Sequence, residues 1–95
     1  GEELARSTFG GVASALTVHS DMSISHIAHR GTHEQKQKYL PDACAGRKVG
    51  AVCVTEPHAG SDVAGLKTRA VRTADGWVLN GSKTFITNGV LGDIY

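Results

Sequence analysis

The sequence predicts an α+β chain, with helices over roughly its first half and antiparallel strands over its second. Two observations carry that expectation. Apolar residues recur at three- and four-residue intervals up to about Arg30, then give way after Lys48 to short runs rich in β-branched residues. The punctuation changes in parallel, from helix-cap residues to the turn dipeptides that join strands. The change falls near Gly50, so residues 1–49 and 50–95 are expected to belong to different domains.

Bulk properties narrow the function before any motif is read. A chain of 95 residues builds a modest core, because folding at this size buries only about 60–70% of the potential surface. With 40% hydrophobic and 20% charged residues and two prolines, the composition is that of a folding chain. Ten basic and nine acidic residues leave a net charge of +1 with no run of like sign, which argues against a nucleic-acid partner. Gly, Ser or His interrupts the longest apolar runs well short of the roughly 20 residues a membrane helix needs, and no basic stretch leads into a hydrophobic one as in a targeting segment.

From Glu3 to about Arg30, Leu4, Phe9, Val12, Leu16, Ile24 and Ile27 mark a helical stretch packed on one side. Gly10 and Gly11 read as small-residue packing contacts without chemistry. Ser20 and Asp21 are placed to cap a new turn, so the stretch is one bent helix or two, and Gly31 supplies its stop. Thr32 to Gln35 fits a capping box: the Thr32 hydroxyl accepts from the Gln35 amide, and the Gln35 side chain reaches back to the Thr32 amide. The helix it opens meets Pro41, where it kinks or breaks, and ends near Gly46.

Val49 to Val54 reads as a strand running into a loop at Pro57 and Gly60. Leu66 to Arg72 alternates, Ala74-Asp75-Gly76 turns, and Trp77 to Leu79 alternates again. Asn80-Gly81, a strong hairpin signal, predicts a returning strand over Lys83 to Thr87. Asp93-Ile94-Tyr95 reads as the opening of another strand, so the chain is expected to be a piece of something longer.

Several constellations are set aside. His26, His29 and His33 would share a face only on an unbroken helix, which Gly31 and Thr32 interrupt, and no Cys or carboxylate completes a metal set. Cys44 and Cys53 lack a C-x-x-C spacing and read as buried thiols rather than a disulfide. Asn80-Gly81-Ser82 is explained by its turn rather than as a glycosylation sequon. Neither a dinucleotide fingerprint, a phosphate-binding P-loop nor a nucleophile elbow is present.

Two segments are less generic. Val54 to Asp62 converges hydroxyls, backbone amides, a rigid proline and a flexible glycine on one loop, which suits a polar, anionic ligand, although by itself the composition fits an ordinary surface loop better. Phe85 and Thr87 stand two positions apart, on one face of a strand, which suits a planar heteroaromatic. From spacing alone the favoured reading is Phe85 as core and Thr87 as a β-former.

Read together, Lys36-Gln37-Lys38-Tyr39-Leu40-Pro41, Val54-Thr55-Glu56-Pro57, Ala59-Gly60-Ser61-Asp62, Asn80-Gly81-Ser82-Lys83 and Ile86-Thr87-Asn88-Gly89 closely resemble the acyl-CoA dehydrogenase family, in order and in separation. The resemblance covers nearly the whole chain. It implies that residues 1–49 are the last helices of an all-α N-terminal domain and residues 50–95 the first strands of a β-barrel-like middle domain. It further implies an FAD-dependent oxidoreductase of acyl-CoA breakdown that removes a Cα proton and a Cβ hydride to give a trans-2-enoyl-CoA, with electron-transfer flavoprotein as acceptor. A homotetramer or homodimer follows by the same likeness, in the cytoplasm of a bacterium or the mitochondrial matrix of a eukaryote.

The resemblance also implies site residues. The loop Cys53, Val54, Thr55, Gly60 and Ser61 would lie along the flavin, with Thr55 bonded to its pyrimidine side. Phe85 would pack on the ring, Ile86 would give a backbone contact, and Thr87 would set a hydroxyl at N5. Ser61 would face both the FAD pyrophosphate and the acyl-CoA substrate. The family often has Gly where His58 stands and Trp where Phe85 stands. No position matches the family's catalytic glutamate, Glu56 is not that base, and the isolated chain is expected neither to hold FAD tightly nor to turn over. The alternatives are an acyl-CoA oxidase or flavin monooxygenase of the same fold, or a non-catalytic relative. His19 to Gly31 and the Phe85-Ile86 pair lean towards the long-chain branch.

Overall fold

The computed structural model describes residues 2–95, which form helices followed by one antiparallel hairpin. Two compact units divide the chain: the first runs through Val52 and includes Thr87–Tyr95, and the second is Cys53–Ile86.

In the first unit the helical stretch is broken where the sequence suggested continuity. Helix α1, Glu2–Arg6, ends before Thr8, which takes a left-handed φ of 59°. Such a φ is costly for a β-branched residue and incompatible with a running helix. Helix α2, Gly10–Thr17, passes into a π-helical segment, Val18–Ile24, and then into α3, Ser25–Arg30. The expected cap at Ser20 and Asp21 does not form. The Ser20 hydroxyl instead donates back to the Leu16 carbonyl at 2.8 Å, and the helical path continues.

Gly31 stops α3 in an extended conformation rather than a left-handed one. Glycine is needed because a Cβ there would lie 2.5 Å from the Ile27 carbonyl oxygen. The capping box at Thr32 forms as expected and opens α4, His33–Cys44, which runs through Pro41 without a break. Gly46, at a φ of 71°, closes α4 by donating to the Ala43 carbonyl, and Arg47 donates through Nε and Nη2 to Asp42.

Ile24, Ala43 and Ala51 are the buried apolar residues of this unit, with Ser23 beside them. Phe9, Val12 and Leu16 remain exposed, and nothing lies within 4 Å of a Cβ built on Gly10 or Gly11. Among the described residues the expected packing is thus made at Ile24 but not at Phe9, Val12 or Leu16, and the expected glycine contacts are not made. Cys44 is also exposed rather than buried, and Cys53 is half-buried; both are free thiols.

The expected strand at Val49 to Val54 reduces to a single parallel bridge between Gly50 and Ile94. Its backbone groups are spent on irregular partners. Val49 N–H donates to Asp93 Oδ2, Gly50 N–H to His19 Nδ1 and Ala51 N–H to the Ile94 carbonyl, while Asn88 takes the Gly50 carbonyl. A segment satisfied this way has no ladder left to extend.

In the second unit, β1 (Arg69–Thr73) pairs antiparallel with β2 (Gly76–Asn80), with Thr73 opposite Gly76 across the turn at Ala74 and Asp75. That turn was expected. The returning strand over Lys83 to Thr87 is not formed: Phe85 adopts a φ of 52°, which takes the backbone out of the extended region. Gly81 makes no hairpin turn either. It presses against Thr68, where a Cβ would fall 2.8 Å from the Thr68 Cα. Among the described residues, no helix is long and apolar enough to cross a membrane.

Candidate functional site

The candidate site is built in the second unit around a turn and its anchor. Glu56 and Ala59 exchange backbone hydrogen bonds, Glu56 N–H to the Ala59 carbonyl at 2.9 Å and Ala59 N–H to the Glu56 carbonyl at 3.1 Å. Pro57 suits this turn because its fixed φ restricts the loop before Gly60 and Ser61 leave it. Both Gly60 and Ser61 are exposed, and the Ser61 carbonyl accepts from Val63 N–H as the chain enters a 3₁₀ turn at Val63–Gly65.

The loop meets the residues just before Phe85 here. Thr84 N–H donates to the Thr55 carbonyl at 3.0 Å. Lys83 Nζ donates to the Val54 carbonyl at 3.0 Å and to Glu56 Oε1 at 2.9 Å. Among the described residues these are the hydrogen bonds that join the Cys53–Ser61 loop to Lys83 and Thr84. Thr55 and Ile86 are half-buried, as is Cys53, whereas Val54 lies at the surface. Phe85 is 94% exposed, with no cover from its own unit. Thr87, exposed, belongs to the first unit.

Sequence reasoning missed the group at the centre of this arrangement. Glu56 is a charged residue with only 3% of its surface exposed. Its Oε1 accepts from Lys83 Nζ and from Thr68 N–H at 3.0 Å; its Oε2 accepts from Lys67 N–H at 2.8 Å and lies 3.4 Å from His58 Nε2. The Lys83 ammonium first, then donors from Thr68 and Lys67, hold the carboxyl far below the usual carboxylate range, against the opposing effect of burial. A carboxylate so stabilised is a poor proton acceptor. Its partners lie 11, 12 and 27 residues away. No local spacing could reveal them. The available signal was a lone acid between Thr55 and Pro57 with no nearby counter-charge.

The first unit holds a separate apolar cavity of about 270 Å³, lined chiefly by Ala15, Leu16, Val49 and Leu91 with His19 and Asn88 at its polar points. Asn88 Nδ2 donates to the Ala15 carbonyl at 2.9 Å and the Gly50 carbonyl at 3.0 Å. His19 Nδ1 accepts from Gly50, so its ring proton is on Nε2. Among the described residues no His, Cys, Asp and Glu side chains gather into a metal-binding group.

Residues 51–95 match the acyl-CoA dehydrogenase middle domain, and residues 1–47 match the acyl-CoA dehydrogenase N-terminal domain. Over 79 residues the chain is 49% identical to the mitochondrial long-chain specific acyl-CoA dehydrogenase of Mus musculus, covering 83% of this chain and 18% of that protein. Over 88 residues it is 47% identical to the mitochondrial isovaleryl-CoA dehydrogenase of Solanum tuberosum, covering 93% and 21%. The solved glutaryl-CoA dehydrogenase of Mycobacterium smegmatis in complex with FADH2 aligns with a TM-score of 0.84 at 43% identity, over 88% of this chain and 22% of that one. The chain thus spans about a fifth of the length of the relatives it matches. Its helices and its hairpin alike fall within the N-terminal and middle domains of one family, and the chain belongs to that family, the acyl-CoA dehydrogenases.

Proposed function

We propose that this chain forms part of the flavin-facing wall of an FAD-dependent acyl-CoA dehydrogenase, an oxidoreductase that converts an acyl-CoA to its trans-2-enoyl-CoA. In that reading residues 1–49 are the end of the helical domain and residues 50–95 the start of the middle β-domain. The observation that supports it most directly is the bond from Thr84 N–H to the Thr55 carbonyl. It fastens the hydroxyl-bearing loop to the segment that presents an uncovered Phe85 ring.

These residues fit the cofactor by type: an exposed aromatic face, a half-buried hydroxyl at Thr55 and backbone donors in the loop suit a planar, polar-edged heteroaromatic. FAD, when bound, supplies the hydride acceptor. Thr55 would bond the pyrimidine side and favour the negative charge that builds there on reduction. Cys53, Val54, Gly60 and Ile86 would line the ring with backbone groups, Phe85 would stack on it, and Thr87 would donate its hydroxyl at N5. Ser61, exposed just beyond the Glu56–Ala59 turn, would donate to the pyrophosphate and to the acyl-CoA. No residue of this chain is assigned as the base. An electron-transfer flavoprotein is the proposed acceptor and a homodimer or homotetramer the proposed assembly, in the cytoplasm of a bacterium or the mitochondrial matrix of a eukaryote.

The test is to purify the full-length protein that carries these residues, record its visible spectrum, and add acyl-CoAs of graded chain length without oxygen. Flavin absorbance that bleaches with one class of acyl-CoA is the expected result. A protein with no flavin absorbance would refute the proposal.

A further inference from the structure

We infer that Glu56 is the positioning residue of the flavin wall, holding the Thr55 and Phe85 segments in register through its buried carboxylate and Lys83. The inference rests on the proposed function and deepens it.

Three features carry it. Glu56 sits between the two outgoing arms of its loop, Thr55 on one side and the turn leading to Ser61 on the other. Its carboxylate joins two segments: Lys83 reaches Oε1 from one, while the Thr68 and Lys67 amides, just before β1, donate to Oε1 and Oε2 from the other. Lys83 then divides its ammonium between Glu56 and the Val54 carbonyl, so charge and backbone are tied to the same point.

A buried carboxylate is tolerated only when it is paired and its lone pairs are used, and here both oxygens are used. The Thr84 to Thr55 bond follows immediately along both segments, so a shift at Glu56 is passed to residues on either side of it. His58 Nε2 lies 3.4 Å from Oε2 without a hydrogen bond to it, so the carboxylate is held by Lys83, Lys67 and Thr68. Glutamine cannot replace Glu56 without loss, because both oxygens face donors and an amide nitrogen must confront one of them. Phe85 makes no buried contact that could hold the wall in its place.

The experiment compares Glu56→Gln and Lys83→Met with Ala43→Gly in the full-length protein. Ala43 is buried in α4 of the other unit and serves as a stability control. The readouts are the FAD dissociation constant of the apoprotein and the visible circular dichroism of the reconstituted flavin. Glu56→Gln and Lys83→Met are expected each to weaken FAD binding about tenfold or more, as loss of a charge-assisted contact would, and to change the flavin dichroism. Ala43→Gly, at a comparable loss of thermal stability, is expected to change neither. Lys83→Met leaves the amide bonds to Glu56 in place, so it remains informative if Glu56→Gln does not fold. Wild-type protein that binds FAD alongside variants within about twofold of it would overturn the inference while leaving the proposed function standing. Wild-type protein that binds no FAD would overturn the proposed function itself.

Discussion

Replacing Asn88 with alanine removes two hydrogen bonds and strains the backbone at the same time. Asn88 Nδ2 joins the Ala15 carbonyl of α2 to the Gly50 carbonyl, at 2.9 and 3.0 Å, in a part-buried setting. Each such bond contributes a net of about 1 kcal/mol. Asn88 also has a φ of 65°, a region that Asn tolerates and Ala occupies at a cost of about 1 kcal/mol. The Asn88→Ala variant of the protein carrying this chain should therefore lose about 3 kcal/mol in urea unfolding. Asn88→Gly, which keeps the backbone freedom, should lose about 2 kcal/mol. Asn88→Asp should be at least as damaging as Asn88→Ala, because an acceptor would face two carbonyls. Amide exchange at Ala51, beside the Gly50 contact, should accelerate in all three. An Asn88→Ala protein within about 0.5 kcal/mol of wild type would refute the reasoning.

Other positions test separate links. Because the folded Glu56 carboxyl titrates below its unfolded value, it contributes stability above about pH 4.3 that is lost as pH falls towards its folded pKa. Hydrogen exchange at the Lys67 and Thr68 amides should show protection fading below that pH in wild type and an already weakened, flatter profile in Glu56→Gln. Gly31→Ala would place a Cβ against the Ile27 carbonyl, a backbone atom that cannot swing aside, and should cost about 1–3 kcal/mol by thermal unfolding. Thr32→Ala removes the acceptor for the Gln35 amide and should cost about 1 kcal/mol by the same measurement. An unchanged midpoint in either variant would contradict the local geometry.

Much of the local structure was legible because its partners are close in sequence. The Thr32 capping box closes over three residues, and the hairpin over residues 69–80 follows from alternation and a two-residue turn. The left-handed close of α4 at Gly46 is equally local. The strands expected at Val49 to Val54 and Lys83 to Thr87 fail for a reason that lies elsewhere. β-propensity describes a surface seeking a ladder, and these backbone groups find His19, Asp93, Asn88 and Thr55 instead.

The candidate site divides along the same line. The loop from Cys53 to Ser61 and the segment from Phe85 to Thr87 were recognisable as motifs, since their residue types and order carry the likeness to the family. That Thr55 is fastened to Thr84, and that Phe85 takes a left-handed φ with its ring uncovered, depended on the folded chain. Glu56 shows the division most clearly. In the sequence it is one acid in a polar loop. In the fold it is buried, and donors from residues 67, 68 and 83 surround it. Residue type and local spacing determined the helices, the hairpin and the family. Which charge would be buried, and what it would hold in place, was decided by tertiary contacts, because desolvation and pairing act through space rather than along the chain.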